Sequence, residues 1–458
     1  MSRRVRSLLP GAAPISRSDA EELTRRALSF SRADEARVTV EGEVRGNTRF
    51  AVNQVSTAGD DSDTTITVSS SFGKKSASAT TNKLDDEGLR WVVETSERLA
   101  KLAPEDPEAM PELGPQQYQE TQGWSEATAA LDAAGRVGAV RGVTEPSREA
   151  GLSATGYLES NGEARAVATS KGLFAYGRST QVAMTTTVRT GDATGSGWAG
   201  AAHSDWNRIE PGELGARAIE KAQRSANPVA IEPGRYTVIL EPTAVGNLVQ
   251  LVAFALNARG ADEGRSFFTK PGGGNKVGMK VVDERVSLVS DPFDPDAAAY
   301  SFTGDGLPVK KTVWIENGVV KNLAYDRYWA EKQGKEPTPI SGTLRMSGGT
   351  DSVDDMIAST ERGILVTRFW YIRPVDPRTI LYTGLTRDGT FLIENGKITR
   401  AVKNLRYNES PIFMLNNLEA MGAPVRVSAS EDGSPGFAIV VPPIKTRDFT
   451  FTSLSDAI

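Results

Sequence analysis

Cysteine is absent from this 458-residue chain and histidine occurs once, as His203. Catalytic zinc usually takes three protein ligands from His, Cys and carboxylates, and most serine and cysteine nucleophiles need an imidazole beside them. With both residue types this scarce, hydrolytic chemistry is expected from another chain or not at all. No disulfide can staple the fold, and at this length either half can bury a core without one. Lack of cysteine also fits a reducing cytoplasm. Neither sign of charge dominates: 53 Lys and Arg against 58 Asp and Glu leave a net charge of −5, spread along the chain. That balance gives no basic face for nucleic acid. No apolar run approaches the ~18 residues that suggest a membrane span. Arg3, Arg4 and Arg6 precede Leu8 and Leu9, but Pro10, Gly11 and Pro14 cut that stretch short of a signal-peptide core. The composition therefore reads as cytoplasmic, with no nucleic-acid and no membrane partner.

What is present divides into two parts. Ser18-Asp19-Ala20-Glu21 reads as a capping box ahead of Leu23, Ala27 and Phe30 at helical spacing. Alternating stretches from Arg37 to Val44 and Thr64 to Phe72 predict strands, with Gly46, Gly59 and Gly73 as breaks. Asp85 caps a helix whose apolar positions are Leu89, Val92, Val93, Ser96 and Leu99, and Pro104 ends it. After a proline-rich loop, Ser125 starts a helix toward Val140. Gly151 to Trp206 predicts a meandering antiparallel sheet turning at Asn161-Gly162, Lys171-Gly172 and Gly191-Asp192, closed by a helix from Pro211 to Ala226. Pro228 and Pro233-Gly234 mark a linker. A buried strand, Tyr236 to Leu240, and a strongly apolar helix opened by Pro242 follow. An internal echo, Ile315-Glu316-Asn317-Gly318 and Ile393-Glu394-Asn395-Gly396, predicts two hairpin tips, because Asn-Gly suits the type I′ turn. The expected fold is α+β in two domains: residues 1–228, mixed α/β with an antiparallel sheet, and residues 229–458, β-rich with one buried helix.

Glu263-Gly264-Arg265-Ser266-Phe267-Phe268, the Asp305-Gly306 to Lys311-Thr312 segment, Tyr325-Asp326-Arg327-Tyr328, Gly384 through Asn395-Gly396 to Lys403-Asn404-Leu405-Arg406, and Pro443-Ile444-Lys445-Thr446-Arg447-Asp448-Phe449 follow one another in a characteristic order. Together they resemble the TldD/PmbA family, once called modulators of DNA gyrase. The resemblance runs over about residues 230 to 451, with a weaker echo around Ser170-Lys171-Gly172. It implies a two-domain fold and paralogous subunits forming a heterodimeric zinc peptidase that acts on unfolded or extended peptides. In the active-type subunit of that family, a His-Glu-x-x-x-His motif lies on the helix after the first strand of the C-terminal domain. A cysteine near the C-terminus is a further ligand. The corresponding helix here, Pro242 to Asn257, has no histidine or carboxylate, and Val245, Leu248, Val249, Val252 and Leu256 make an apolar stripe. Around Ser428-Ala429-Ser430-Glu431 there are only hydroxyls and one carboxylate. The resemblance therefore points to the inactive-type, TldE or PmbA side of the pair, with no catalytic residue, no metal ligand and no cofactor in this chain. Zinc is expected in a TldD-like paralogous partner.

The remaining chemistry-bearing residues each have a bland reading beside the functional one. His203 is a strand or loop histidine, or else a substrate contact or shared ligand. The run Asp291-Pro292-Phe293-Asp294-Pro295-Asp296 could offer carboxylates to a hard cation, yet lacks the glycine turn and bidentate Glu of a calcium loop. Pro271-Gly272-Gly273-Gly274-Asn275-Lys276 reads as a flexible hairpin or lid, with no Gly-Lys-Ser/Thr to cradle phosphate. Ser71 and Lys74 match the Ser-x-x-Lys spacing but fall at a strand end. Arg265, Ser266 and Phe268 follow the altered helix and are the candidate peptide-binding residues. Arg265 could take a peptide carboxylate or carbonyl, or pair with Asp262 or Glu263. The leading functional expectation is a non-catalytic subunit holding extended peptide by strand addition. The alternatives are a stand-alone peptide-binding or regulatory homodimer, and an enzyme with metal-independent chemistry.

Overall fold

The structure is a computed structural model that describes residues 14–431 and 437–455; the arginines and leucines between Arg3 and Leu9 lie outside the described residues. The first helix, α1 (Arg17–Phe30), starts earlier than the Ser18 box suggests. Ser16 is the cap, accepting from the Asp19 amide at 3.2 Å and donating to its carboxylate at 2.7 Å. The strands β1 (Glu35–Ala51) and β2 (Gln54–Phe72) run straight through the expected breaks, with Gly46 opposite Asp60 and Asn47 opposite Gly59. Gly46 is there for space, since an added Cβ would lie 2.0 Å from the Arg136 guanidinium. Gly73, at φ +57°, does turn the chain into β3 (Lys75–Thr81). Asp85 caps α2 (Asp86–Leu102) as expected. Its buried stripe ends on Ala100, leaving Leu99 43% exposed.

The helix expected from Ser125 is broken into α3 (Glu126–Ala129) and α4 (Ala133–Glu149), because Asp132 accepts from the Gly135 amide at 2.8 Å and starts a new helix. Next come β4 (Ser153–Thr169), β5 (Phe174–Arg189), β6 (Ser196–His203) and α5 (Pro211–Arg224). Asn161-Gly162 is no turn. Asn161 sits mid-strand between Arg45 and Gln181, while the chain reverses at Gly172, φ +88°. The six strands form one antiparallel sheet in the order β3-β2-β1-β4-β5-β6. Helices cover one face, over Val38, Val40, Phe50, Leu158 and Ala166. The other face shows the alternate residues Glu41, Glu43, Arg45 and Arg49 of β1.

Past Pro228 the chain forms β7 (Gly234–Leu240), α6 (Pro242–Ala255), α7 (Ala258–Asp262), β8 (Leu288–Ser290), β9 (Thr312–Glu316), β10 (Val319–Val320), α8 (Arg327–Gln333), β11 (Thr343–Met346) and α9 (Val353–Ala358). It continues through β12 (Arg362–Asp376), β13 (Leu381–Glu394), β14 (Lys397–Ala401), β15 (Leu405–Glu409), α10 (Pro411–Asn416), β16 (Leu418–Met421), β17 (Val425–Val427), β18 (Ala438–Val441) and β19 (Ile444–Leu454). Both expected Asn-Gly tips form, with φ +48° and +79° at Asn317 and Gly318 and +51° and +75° at Asn395 and Gly396. Strands β12, β7, β19, β15 and β13 pair in that order, and β13 pairs back to β12, which closes a barrel. A second, mixed sheet has the order β10-β9-β8-β11-β18-β17. Pro442-Pro443 carries the chain from that sheet into the barrel. Helix α6 lies between the two, and one apolar core joins Val366 and Phe449 of the barrel, the α6 stripe, and Leu344 and Ile439 of the second sheet. The architecture is the expected α+β fold.

Candidate functional site

Pro242 opens α6 at its first turn, and Val245, Leu248, Val249, Val252 and Leu256 are all fully buried. Polar side chains on such a helix need partners inside the protein. Asn247, 1% exposed, donates to the Ala429 carbonyl at 2.7 Å and accepts from the Phe369 amide at 3.0 Å. Gln250 donates to the same Ala429 carbonyl at 2.7 Å. A Cβ added at Gly246 would sit 2.7 Å from Val427 and 3.3 Å from Ala429, so helix and loop touch directly. This is the helix and the loop where the family resemblance places metal ligands. The residues present do not fit zinc. Two amide nitrogens, donors only, face one carbonyl, and Glu431 is engaged elsewhere, accepting from the Ile372 amide at 2.5 Å and pairing with Arg373 at 3.3 Å. Among the described residues no group of three His, Cys, Asp or Glu side chains could hold a metal ion.

A buried ion pair adjoins this closed locus. The β12–β13 register jumps around Arg368 and Arg387, and Asp388 (φ +53°) and Gly389 (φ +125°) form the irregularity. Arg368 donates to Asp388 through Nε at 3.1 Å and Nη2 at 2.6 Å, and through Nη1 to the Glu431 carbonyl at 3.2 Å. Its guanidinium is 4.7 Å from the Trp198 ring centroid and 5.3 Å from that of Trp370. Burial pushes the Arg368 pKa down, and the Asp388 charge opposes that. From the other half of the chain, Ser196 on β6 donates to Asp388 at 2.6 Å. Beside this group a cleft of about 540 Å³ opens between the halves, lined by Ser196, Ser225, Asn227, Asp388, Thr390 and Lys403 among others. Sequence reasoning missed the pair. The signal was a charged residue set in the otherwise apolar run Ile364-Leu365-Val366-Thr367-Arg368-Phe369-Trp370.

The residues singled out from sequence do not gather around this locus. Arg265 is exposed and pairs with Glu263, the bland alternative weighed for it. Ser266 donates to the Ala255 carbonyl at 3.4 Å and accepts from the Phe268 amide at 3.2 Å. Phe268 is fully buried against Phe267, so its ring serves the core and presents no face to a ligand. The carboxylates between Asp291 and Asp296 are answered by cations rather than free for one. Arg345 reaches Asp294 at 2.5 Å and Asp296 at 2.9 Å, Arg208 reaches Asp296 at 3.3 Å, and Lys311 reaches Asp291 at 3.3 Å. Gly272, Gly273 and Gly274 all have positive φ in an exposed turn closed by a Thr269–Asn275 bridge. Lys74 donates to the Pro107 carbonyl at 3.1 Å, and Ser71 pairs within the sheet opposite Glu35. His203 ends β6 with Nδ1 accepting from the Asp205 amide at 2.9 Å, which places the proton on Nε2, a buried atom with no partner. Burial and the nearby Arg426 and Arg208 charges depress its pKa to about 4.

The sequence matches the family models of the PmbA/TldA metallopeptidase C-terminal domain over residues 233–453 and of the PmbA/TldA metallopeptidase central domain over residues 122–226. It is 26% identical over 247 residues to a metalloprotease of Methanothermobacter thermautotrophicus, covering 50% of this chain and 52% of that protein. It is 26% identical over 204 residues to a metalloprotease TldD homolog of Buchnera aphidicola, covering 41% of each. The chain thus spans about half or less of the length of these curated relatives. Its fold is similar to the crystal structure of TldE from Thermococcus kodakarensis, with TM-score 0.82, 20% identity, and coverage of 94% of this chain and 99% of that one. The two domain models fall in chain order on the helix-backed sheet and on the barrel half, and the chain belongs to the PmbA/TldD metallopeptidase family.

Proposed function

We propose that this chain is the non-catalytic, TldE-like subunit of a heterodimeric zinc metallopeptidase that processes unfolded or extended peptides. It would complete the peptide channel and steady a zinc-bearing, TldD-like sister chain that does the cutting. The observation that carries this reading is the use of α6. Where the family's active-type helix bears metal ligands, Asn247 and Gln250 are both spent on the Ala429 carbonyl, and the helix is sealed against its loop. A helix so occupied contributes packing and shape, so the chain's role is to bind and orient. Extended substrate would be held through main-chain hydrogen bonds, which give affinity with little sequence preference.

The test is co-expression with a paralogue carrying His-Glu-x-x-x-His. The two chains should co-elute, and the pair should carry about one zinc per heterodimer and cleave unfolded peptide in a chelator-sensitive way, whereas this chain alone should do neither. Stoichiometric zinc and chelator-sensitive turnover in this chain alone would sink the proposal. Self-association that ignores the paralogue would replace it with the stand-alone peptide-binding reading.

A further inference from the structure

Strand β2 is 19 residues long and pairs with β1 along its length, but β3 covers its other side only from Ile66 to Phe72. Among the described residues, no strand lies along the outer edge from Gln54 to Thr65. Such an edge presents a row of main-chain donors and acceptors that natural sheets usually blunt with lysine, proline, a bulge or a very short strand. One bulge sits at its start, where Ser56 is the extra residue between Val55 and Thr57 opposite Phe50 and Arg49, but from Thr57 to Thr65 the pairing with β1 is regular and the stretch holds no lysine and no proline. Its charges are Asp60, Asp61 and Asp63, with no cation among them. Asp60 turns toward the helix side, where Arg136 holds it at 2.6 Å. Asp61 and Asp63 are exposed on the open face, opposite Arg45 and Glu43 of β1. At the opposite edge of this sheet, β6 packs against β13 and β17.

From this placement we propose that the β2 edge between Thr57 and Thr65 docks an extended peptide with basic residues at alternate positions, as an added strand continuing the line of β3. The inference rests on the peptide-binding role proposed above and gives that role a location and a charge preference. Period-two geometry sets the pattern: a strand laid on β2 brings every second side chain to the open face, over Asp61 and Asp63. Acidic segments are repelled at the same two positions, so the edge selects its occupant instead of aggregating.

The test uses the full chain alone, without the paralogue and without cleavage, so its failure is separable from that of the heterodimer. A fluorescent peptide alternating Arg and Thr, its Glu-Thr counterpart, and two versions of the basic peptide N-methylated on alternate amides are titrated by anisotropy. The basic peptide should bind at least tenfold more tightly than the acidic one, more weakly as salt rises. N-methylation should abolish binding in one register and spare it in the other. Asp61→Lys with Asp63→Lys, on the exposed face and checked by circular dichroism, should weaken binding at least tenfold. Undiminished binding to that variant, or equal effects of both N-methylated registers, overturns the proposal. A chain lacking residues 1–13, and so Arg3, Arg4 and Arg6, should bind the peptide as the full chain does; a tenfold gain on deletion would assign the edge to that basic end and end the substrate reading.

Discussion

Removing the Arg368 side chain should cost more than a single surface charge would. Asp388 is 1% exposed in its side chain, and in an Arg368→Ala variant it is left buried with Ser196 donating to it and Arg387 at 3.8 Å as its remaining cation. Breaking a buried pair from one side costs about 3–5 kcal/mol, whereas replacing both partners by apolar residues recovers much of that. Urea unfolding of Arg368→Ala against Arg368→Met with Asp388→Leu checks the difference. His203 makes a second prediction. Its pKa falls from 6.5 to about 4 on folding, so above pH 6.5 both states hold a neutral ring and nothing is gained or lost. As the pH drops from 6.5 toward 4 the unfolded chain takes the proton first, and the native state loses stability across that window. The stability difference between wild type and His203→Gln should therefore move in favour of the variant over that range, measured by denaturant midpoint at each pH. At this scale the sequence told which residue types were scarce, and hence that α6 carries no histidine, cysteine or carboxylate. It could not tell that Phe268 faces inward while Arg265 faces water, because burial in an irregular loop depends on what folds over it.

Helix α6 and the Asn-Gly hairpins are where sequence and structure agree most closely, and for the same reason: their residues satisfy local rules. The apolar stripe predicts a buried helix whatever surrounds it, and Asn395-Gly396 takes the positive φ values that its turn requires. Asn161-Gly162 carries the same dipeptide yet lies flat in β4, since strands on both sides hold it extended. Gly46 was likewise illegible, because the tertiary partner that needs a glycine there, Arg136, comes from a distant helix, whereas Gly59 simply continues the strand with an added Cβ no nearer than 3.9 Å to Asn47. Gly396→Ala should destabilise by about 1–3 kcal/mol, the usual cost of an L side chain held at positive φ. Its Cβ would also meet the Ala358 carbonyl oxygen at 2.7 Å. Asn247→Ala should cost about 1–3 kcal/mol by leaving the buried Phe369 amide without an acceptor, while Gln250 still serves Ala429. Thermal unfolding gives both values.

Across the whole molecule, the halves are joined by groups that are far apart in sequence. Tyr300, from the loop after the acidic run, lies over β5 so closely that a Cβ at Gly177 would sit 2.7 Å from its ring, and Arg165 stacks on it at 5.2 Å. Ser179 donates to its hydroxyl at 3.3 Å. Tyr300→Ala should loosen this junction, seen as faster limited proteolysis between α5 and β7 and a broader or split calorimetric transition. The α+β class was readable from the alternation of strand and helix periods. The closing of a barrel was not, since it depends on β7 pairing with β12 and with β19, far along the chain, and register between distant strands leaves no local mark.

That barrel has one further consequence. Its seam is filled by β19, lying between β7, made some two hundred residues earlier, and β15. During synthesis the helix-backed sheet can settle while the later part is still being translated. The staves of the barrel must wait with an open gap until residues 444–454 emerge from the ribosome. A chain cut between β15 and residue 444 would leave the facing borders of β7 and β15 unpaired, and open strand edges of that kind are where chains aggregate.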